Sequence, residues 1–143
     1  MKSLVLYDSN YGNTQKIAQI VADELKSTIK HVSEFTKSDL KDIELLIVGS
    51  PIIGWQPSEK TNAFLSGLSR DDLKNIKVTA FDTRVKLFIH GDASKKIVTA
   101  LQASGAELFT DPVWFYVKGK EGPLLDGELE RTKEWALTIK SKF

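Results

Sequence analysis

The chain has 143 residues, a net charge of +1 and no cysteine. That length suits a single domain, 1–143, able to bury about two-thirds of the surface of its unfolded chain. Disulfides, iron–sulfur clusters and thiol catalysis are excluded, and the balanced charge makes nucleic acid a poor partner. No apolar run approaches the ~20 residues needed to span a bilayer.

Taken in order, strand and helix patterns alternate with short connections. Leu4-Val5-Leu6-Tyr7 predicts a first strand so close to the start that no secretory leader is expected. Thr14 opens an amphipathic helix with Ile17, Val21, Leu25 and Ile29 on one face. A second strand is expected over 30–33, with His31 at the surface beside it, then a brief helical turn at Ser38-Asp39-Leu40. Leu45-Leu46-Ile47-Val48 is an unbroken apolar run, the pattern of a parallel strand covered on both faces. A helix over 58–68 and a short helical turn over 71–75 lead to a fourth strand over 78–81. A helix over 93–103 precedes a fifth strand, 107–109 and 113–117, interrupted at Asp111-Pro112 because proline cannot donate to a ladder. The last helix, 127–142, has Leu129, Ala136 and Ile139 inward, with Glu128 to Arg131 as a local charge pair. Trp114, Phe115 and Trp135 are expected as core or helix-packing aromatics. The alternation predicts an α/β fold, a doubly wound five-stranded parallel sheet of order 2-1-3-4-5 with helices on both faces. Its ligand crevice lies at the ends of strands one and three.

The chemistry concentrates where strand one hands over to helix one, at Asp8-Ser9-Asn10-Tyr11-Gly12-Asn13-Thr14. The free N–H groups of a first helical turn, with the helix dipole behind them, attract anions. Ser9, Asn10, Asn13 and Thr14 add side-chain donors, and Gly12 allows close approach of the backbone. The loop holds no Lys or Arg, which suits one terminal monophosphate rather than a triphosphate. After strand three comes Gly49-Ser50-Pro51-Ile52-Ile53-Gly54-Trp55-Gln56-Pro57, stiffened by prolines and offering apolar and aromatic surface. A polar anchor in one loop and an apolar platform in the next suit a ligand with a phosphate tail and an aromatic ring. With two histidines and no cysteine, no cluster has metal-ligand spacing.

The spacing of Val5-Leu6-Tyr7, Ser9, Gly12, Thr14, Ala18 and Val21 resembles the phosphate-loop signature of the flavodoxin family. Ser9-Asn10-Tyr11-Gly12-Asn13-Thr14 is similar to the loop that wraps the 5′-phosphate of FMN there, with Tyr11 in place of the usual Thr. The resemblance implies FMN as cofactor and assigns Ser50, Pro51, Ile52, Ile53, Gly54 and Trp55 to the loop against the isoalloxazine. It implies that the Gly54-Trp55 peptide is the one that flips on flavin reduction. Asp82, Thr83 and Arg84 take the place of the family's Gly-x-Gly-Asp, without its glycines, and are expected near the pyrimidine edge. Phe88 or His90 could cover the outer ring face, although a solvated loop histidine is the simpler reading of His90.

The function implied is electron transfer, a one- or two-electron carrier between redox partner proteins, a reductase and an acceptor. A monomer in a reducing cytoplasm is expected. Trp55 stands where family members commonly carry an acidic residue, which implies a less negative potential for the fully reduced flavin. The alternative is an FMN-dependent NAD(P)H or quinone reductase of the same fold. A signalling receiver domain is disfavoured because strand three ends in Gly49-Ser50-Pro51 without an aspartate.

Overall fold

A computed structural model of the chain describes residues 1–86 and 91–143. Its strands are β1 (Ser3–Tyr7), β2 (Thr28–His31), β3 (Leu45–Ile53), β4 (Gln56–Pro57), β5 (Lys77–Val85), β6 (Glu107–Leu108) and β7 (Val113–Val117). Its α-helices are α1 (Asn13–Leu25), α2 (Glu59–Ser66), α3 (Ala93–Ala103) and α4 (Glu128–Lys142), with two 3-10 turns at Val32–Glu34 and Lys37–Leu40. The sheet runs β2-β1-β3-β5, all parallel, and β6 and β7 lie in succession along the outer side of β5. Taking β6 and β7 as one interrupted strand and setting the hairpin strand β4 aside, this is the expected order 2-1-3-4-5. Thr79 bridges the interruption, its Oγ1 donating to the Thr110 carbonyl at 2.9 Å.

Because side chains alternate across a strand, the apolar runs feed two cores. Val5, Ile47, Phe81 and Phe115 pack under α1 and α4; Leu4, Leu46, Val78 and Ala80 pack under α2 and α3. Phe81, Phe115 and Trp135 meet edge to face, with centroids 6.0 Å apart. Gly49 is confined by this cluster, since a Cβ there would sit 2.1 Å from the Phe81 ring.

Several elements differ from their sequence expectation. Helix α1 buries Ile17, Val21 and Leu25 but stops at Lys26, which turns left-handed (φ 54°) and gives its N–H to the Ala22 carbonyl. Ile29 therefore sits in β2 opposite Val5, because the chain must turn early to lay that strand beside β1. Residues 71–75 form hydrogen-bonded turns rather than a helix, and Asp72 pairs with Lys37 at 3.0 Å. Both β3 and β5 run further than their apolar cores, to Ile53 and Val85, because they stay paired as Ser50–Asp82 and Pro51–Thr83 and their last residues pair with β4 and β7 respectively.

In α4 the inward positions are Glu128, Thr132, Ala136 and Ile139, and Leu129 is exposed. Glu128 takes the inward place because it serves the outer edge of β7. Its Oε2 accepts the Tyr116 N–H at 2.7 Å, while Arg131, paired with Glu128, donates to the Trp114 carbonyl. The chain between β7 and α4 completes that edge, with Leu125 N–H on the Tyr116 carbonyl and Lys118 N–H on the Pro123 carbonyl, each at 2.9 Å. Trp114 lies on this border and is exposed, unlike the core position expected of it.

Candidate functional site

The carboxyl ends of β1, β3, β5 and β7 surround a cavity of about 460 Å³. It falls at the topological switch point, where the chain leaves β1 for β2 on one side and β3 for β5 on the other. Its first wall is the β1–α1 loop. Gly12, at φ 89°, brings the chain into α1, whose first turn has neither a side-chain cap nor an acidic residue. The leading N–H groups of the helix are thus left to the cavity end formed by Ser9, Asn10, Tyr11, Asn13 and Thr14. Ser9 Oγ accepts the Gly12 N–H at 3.0 Å, which frees its own proton for donation. Thr14 Oγ1 shares a 2.9 Å hydrogen bond with Thr83 Oγ1 and so ties the first wall to β5. Asp8 lies outside the cavity lining: it accepts the Ser9 N–H and pairs with His31 Nε2 at 2.8 Å. His31 is therefore a fixed partner of this loop rather than a free surface group.

The second wall is the end of β3, where Pro51, Ile52, Ile53 and Gly54 line the cavity. Most of this segment is strand rather than loop. Ile53 pairs with Gln56, which leaves Gly54 and Trp55 as a two-residue hairpin turn with both φ angles positive, 57° and 72°. Ser50 is not part of the lining. It is fully buried, and its Oγ accepts the Ser58 N–H at 3.0 Å, closing the base of the hairpin. The Trp55 side chain is 59% exposed and also falls outside the lining, so no stacking platform is preformed by it.

Thr83, Arg84 and Val85 form the third wall. Asp82, expected beside them, is outside the lining: it shares a strand face with Arg84 and is held inward against the Arg84 guanidinium and the start of α3. It is buried and bound to Arg84 by two bonds, Nε–Oδ1 at 2.8 Å and Nη2–Oδ2 at 2.6 Å, and it accepts the Ser94 N–H. Burial pushes the Asp82 carboxyl above its ordinary pKa, and the Arg84 guanidinium opposes that rise. Arg84 also reaches Asp92 at 3.5 Å and lies over the Trp114 ring, 4.6 Å from its centroid. Phe88 and His90 lie outside the described residues.

A fourth wall was missed from the sequence. Val117 and Lys120 line the cavity, and the loop that carries Lys120 is held by Asn13, whose Nδ2 donates to the Glu121 carbonyl at 3.2 Å. The signal was the position of Lys118-Gly119-Lys120 directly after the fifth strand, which places it at the carboxyl edge of any doubly wound sheet. The finished cavity is polar at the α1 end and apolar along Pro51, Ile52, Ile53, Val85 and Val117. Among the described residues, Arg84 and Lys120 are its charged lining residues and no carboxylate lines it. Among the described residues no group of three His, Asp or Glu side chains is placed to hold a metal ion.

A doubly wound α/β protein with an anion-binding first loop at its switch point is the class that this geometry defines. The flavodoxin family model matches residues 5–135, and the chain belongs to the flavodoxin family. A flavodoxin of Aquifex aeolicus is 40% identical over 65 residues, covering 38% of this chain and 35% of that protein, about a third of its length. An uncharacterized protein of Methanocaldococcus jannaschii is 29% identical over 109 residues, 76% of this chain and 71% of the other. Among solved structures, oxidised flavodoxin 2 of Bacillus cereus superposes with a TM-score of 0.83 over 100% of both chains at 22% identity, a likeness of fold.

Proposed function

We infer that the cavity binds FMN and that the protein is an electron carrier between redox proteins. The observation that supports this best is the joining of two unlike ends in one cavity. An uncapped helix start with hydroxyl and amide donors meets an apolar slot formed by the ends of β3, β5 and β7. The volume is within the range of about 300–1,000 Å³ typical of small-ligand sites. Ser9, Asn10, Asn13, Thr14 and the first-turn N–H groups would hold the phosphate, with Gly12 shaping their loop. Ile52, Ile53, Gly54 and Val85 would flank the ring, and Thr83 and Arg84 would serve its polar edge. FMN supplies one- and two-electron chemistry when bound, and the protein's part is to bind, orient and tune it.

The lining charge bears on the tuning. With Lys120 at its edge, Arg84 already paired with Asp82, and no carboxylate among the described lining residues, negative charge on a bound ring meets less repulsion than in a carboxylate-rich site. The reduction potential is accordingly less negative than in flavodoxins with acidic rims, and a redox titration giving an equally low value would count against this. A reductase and an acceptor are the expected partners, and the protein acts as a monomer in a reducing cytoplasm.

The first experiment is the absorbance spectrum of protein incubated with excess FMN and then desalted. Flavin bands at one per chain support the reading, and a colourless protein overturns it. Steady-state NAD(P)H–quinone turnover by the loaded protein would assign it instead to the reductases of this fold.

A further inference from the structure

Two contacts converge on the Gly54-Trp55 turn, one from α3 and one from Gly91 just before that helix. The Trp55 carbonyl accepts a hydrogen bond from Lys96 Nζ at 3.1 Å. Gly91 lies so close to the same backbone that a Cβ on it would meet the Trp55 carbonyl oxygen at 2.1 Å. The start of α3 is itself fastened to β5. Asp92 caps it by accepting the Lys95 N–H at 3.1 Å and reaches Arg84, and Asp82 accepts the Ser94 N–H at 2.8 Å.

The turn has reason to be held. Trp55 is a bulky side chain at φ 72°, in the left-handed region, and its exposed ring does not offset that strain by burial. Rotating the peptide between Gly54 and Trp55 by half a turn converts the turn from type I′ to type II′. Trp55 then takes a negative φ, Gly54 keeps its positive one, and the Gly54 carbonyl and Trp55 N–H exchange directions at the cavity lip. The rotation uses ψ of Gly54 and φ of Trp55 alone. The following peptide, whose carbonyl Lys96 holds, need not move.

We propose that Lys96 is a positioning residue: by anchoring the Trp55-Gln56 peptide to α3, with Gly91 leaving room for that close approach, it confines motion at the cavity lip to the single Gly54-Trp55 peptide. The ligand-dependent part of this proposal rests on the FMN reading; the mechanical part does not.

The test compares Lys96→Met with Lys96→Arg, and uses Lys95→Met as a control for charge alone. In ligand-free protein, amide hydrogen exchange over residues 53–56 should quicken about tenfold in Lys96→Met, the factor expected for losing one charge-assisted hydrogen bond. Lys96→Arg should restore slow exchange, Lys95→Met should match the wild type, and Gly91→Ala should show the same local opening as Lys96→Met. In FMN-loaded protein, the midpoint potential should shift in Lys96→Met and not in Lys95→Met. Unchanged exchange in Lys96→Met overturns the anchor, as does a Lys95→Met variant that behaves like Lys96→Met. Failure of the wild type to retain FMN would sink the cofactor reading, while the exchange experiment would still decide the anchor.

Discussion

The first and third walls of the cavity have similar polar content and use it in opposite ways. In the β1–α1 loop, hydroxyls, amides and helix N–H groups surround space, and the acidic residue Asp8 is withdrawn to His31. At the end of β5 the charged groups satisfy one another, with Asp82 on Arg84 and Ser94 and Arg84 on Asp92 and Trp114. Charge at a strand end marked structure here, and neutral donors marked the candidate site. The physical reason is desolvation. A buried ion needs fixed partners and pins its surroundings, whereas neutral donors can remain open to a ligand at lower cost.

That contrast can be broken most sharply at Asp82. Asp82→Ala leaves Arg84 buried without its bidentate partner and should cost about 3–5 kcal/mol, read by urea unfolding, with FMN affinity of the folded fraction little changed. At the opposite wall, Gly12→Ala should cost about 1–2 kcal/mol through positive φ alone, since a Cβ there meets nothing within 4 Å. Thr14→Val should lower stability by only about 1 kcal/mol by losing its bond to Thr83, yet weaken FMN binding in calorimetry. A larger loss of affinity in Asp82→Ala than in Thr14→Val would reverse the assignment of the two walls.

The smallest effect concerns pH. Asp39 is held below its ordinary pKa by its hydrogen bond from Lys30 and then by the Thr36 N–H; Asp72 is held low by the Ser69 N–H and then by Lys37. A lowered folded pKa means that the contribution is present above about pH 4 and is lost as pH falls. Asp82, shifted up, works the other way: its contribution is full in acid and is lost as pH rises through its folded pKa. Asp39→Asn should therefore flatten the acid limb of the stability curve, measured by thermal melts at a series of pH values.

The fold was legible because apolar runs and one loop were unambiguous. The run 45–48 carried the mark of a covered strand, and Gly12 with Thr14 that of a strand handing over to a helix. Period and composition failed where backbone pairing or a long-range partner decided. Gly49 to Ile53 looks like loop chemistry, yet pairing with β5 as far as Pro51 and with β4 at Ile52 and Ile53 keeps it extended. Leu129 fits an inward helical position, but β7 needed a carboxylate there and Glu128 took it. Asp82 and Arg84 sit two apart on a strand, a spacing that places both on one face, and their mutual pairing was readable from that alternation. Lys120 had its signal in following the fifth strand directly, but its place in the lining depends on the last loop being held against Asn13.

The treatment of β7 has a consequence for how the molecule behaves in company. An edge strand exposes a row of unpaired backbone groups that can recruit a strand from another molecule, the usual start of edge-to-edge aggregation. Here Arg131 and Glu128 occupy the Trp114 carbonyl and the Tyr116 N–H, and Leu125 and Pro123 occupy the next two groups along. The last helix and the loop before it thus end the sheet together, so the described border of β7 offers no template for growth into a fibre.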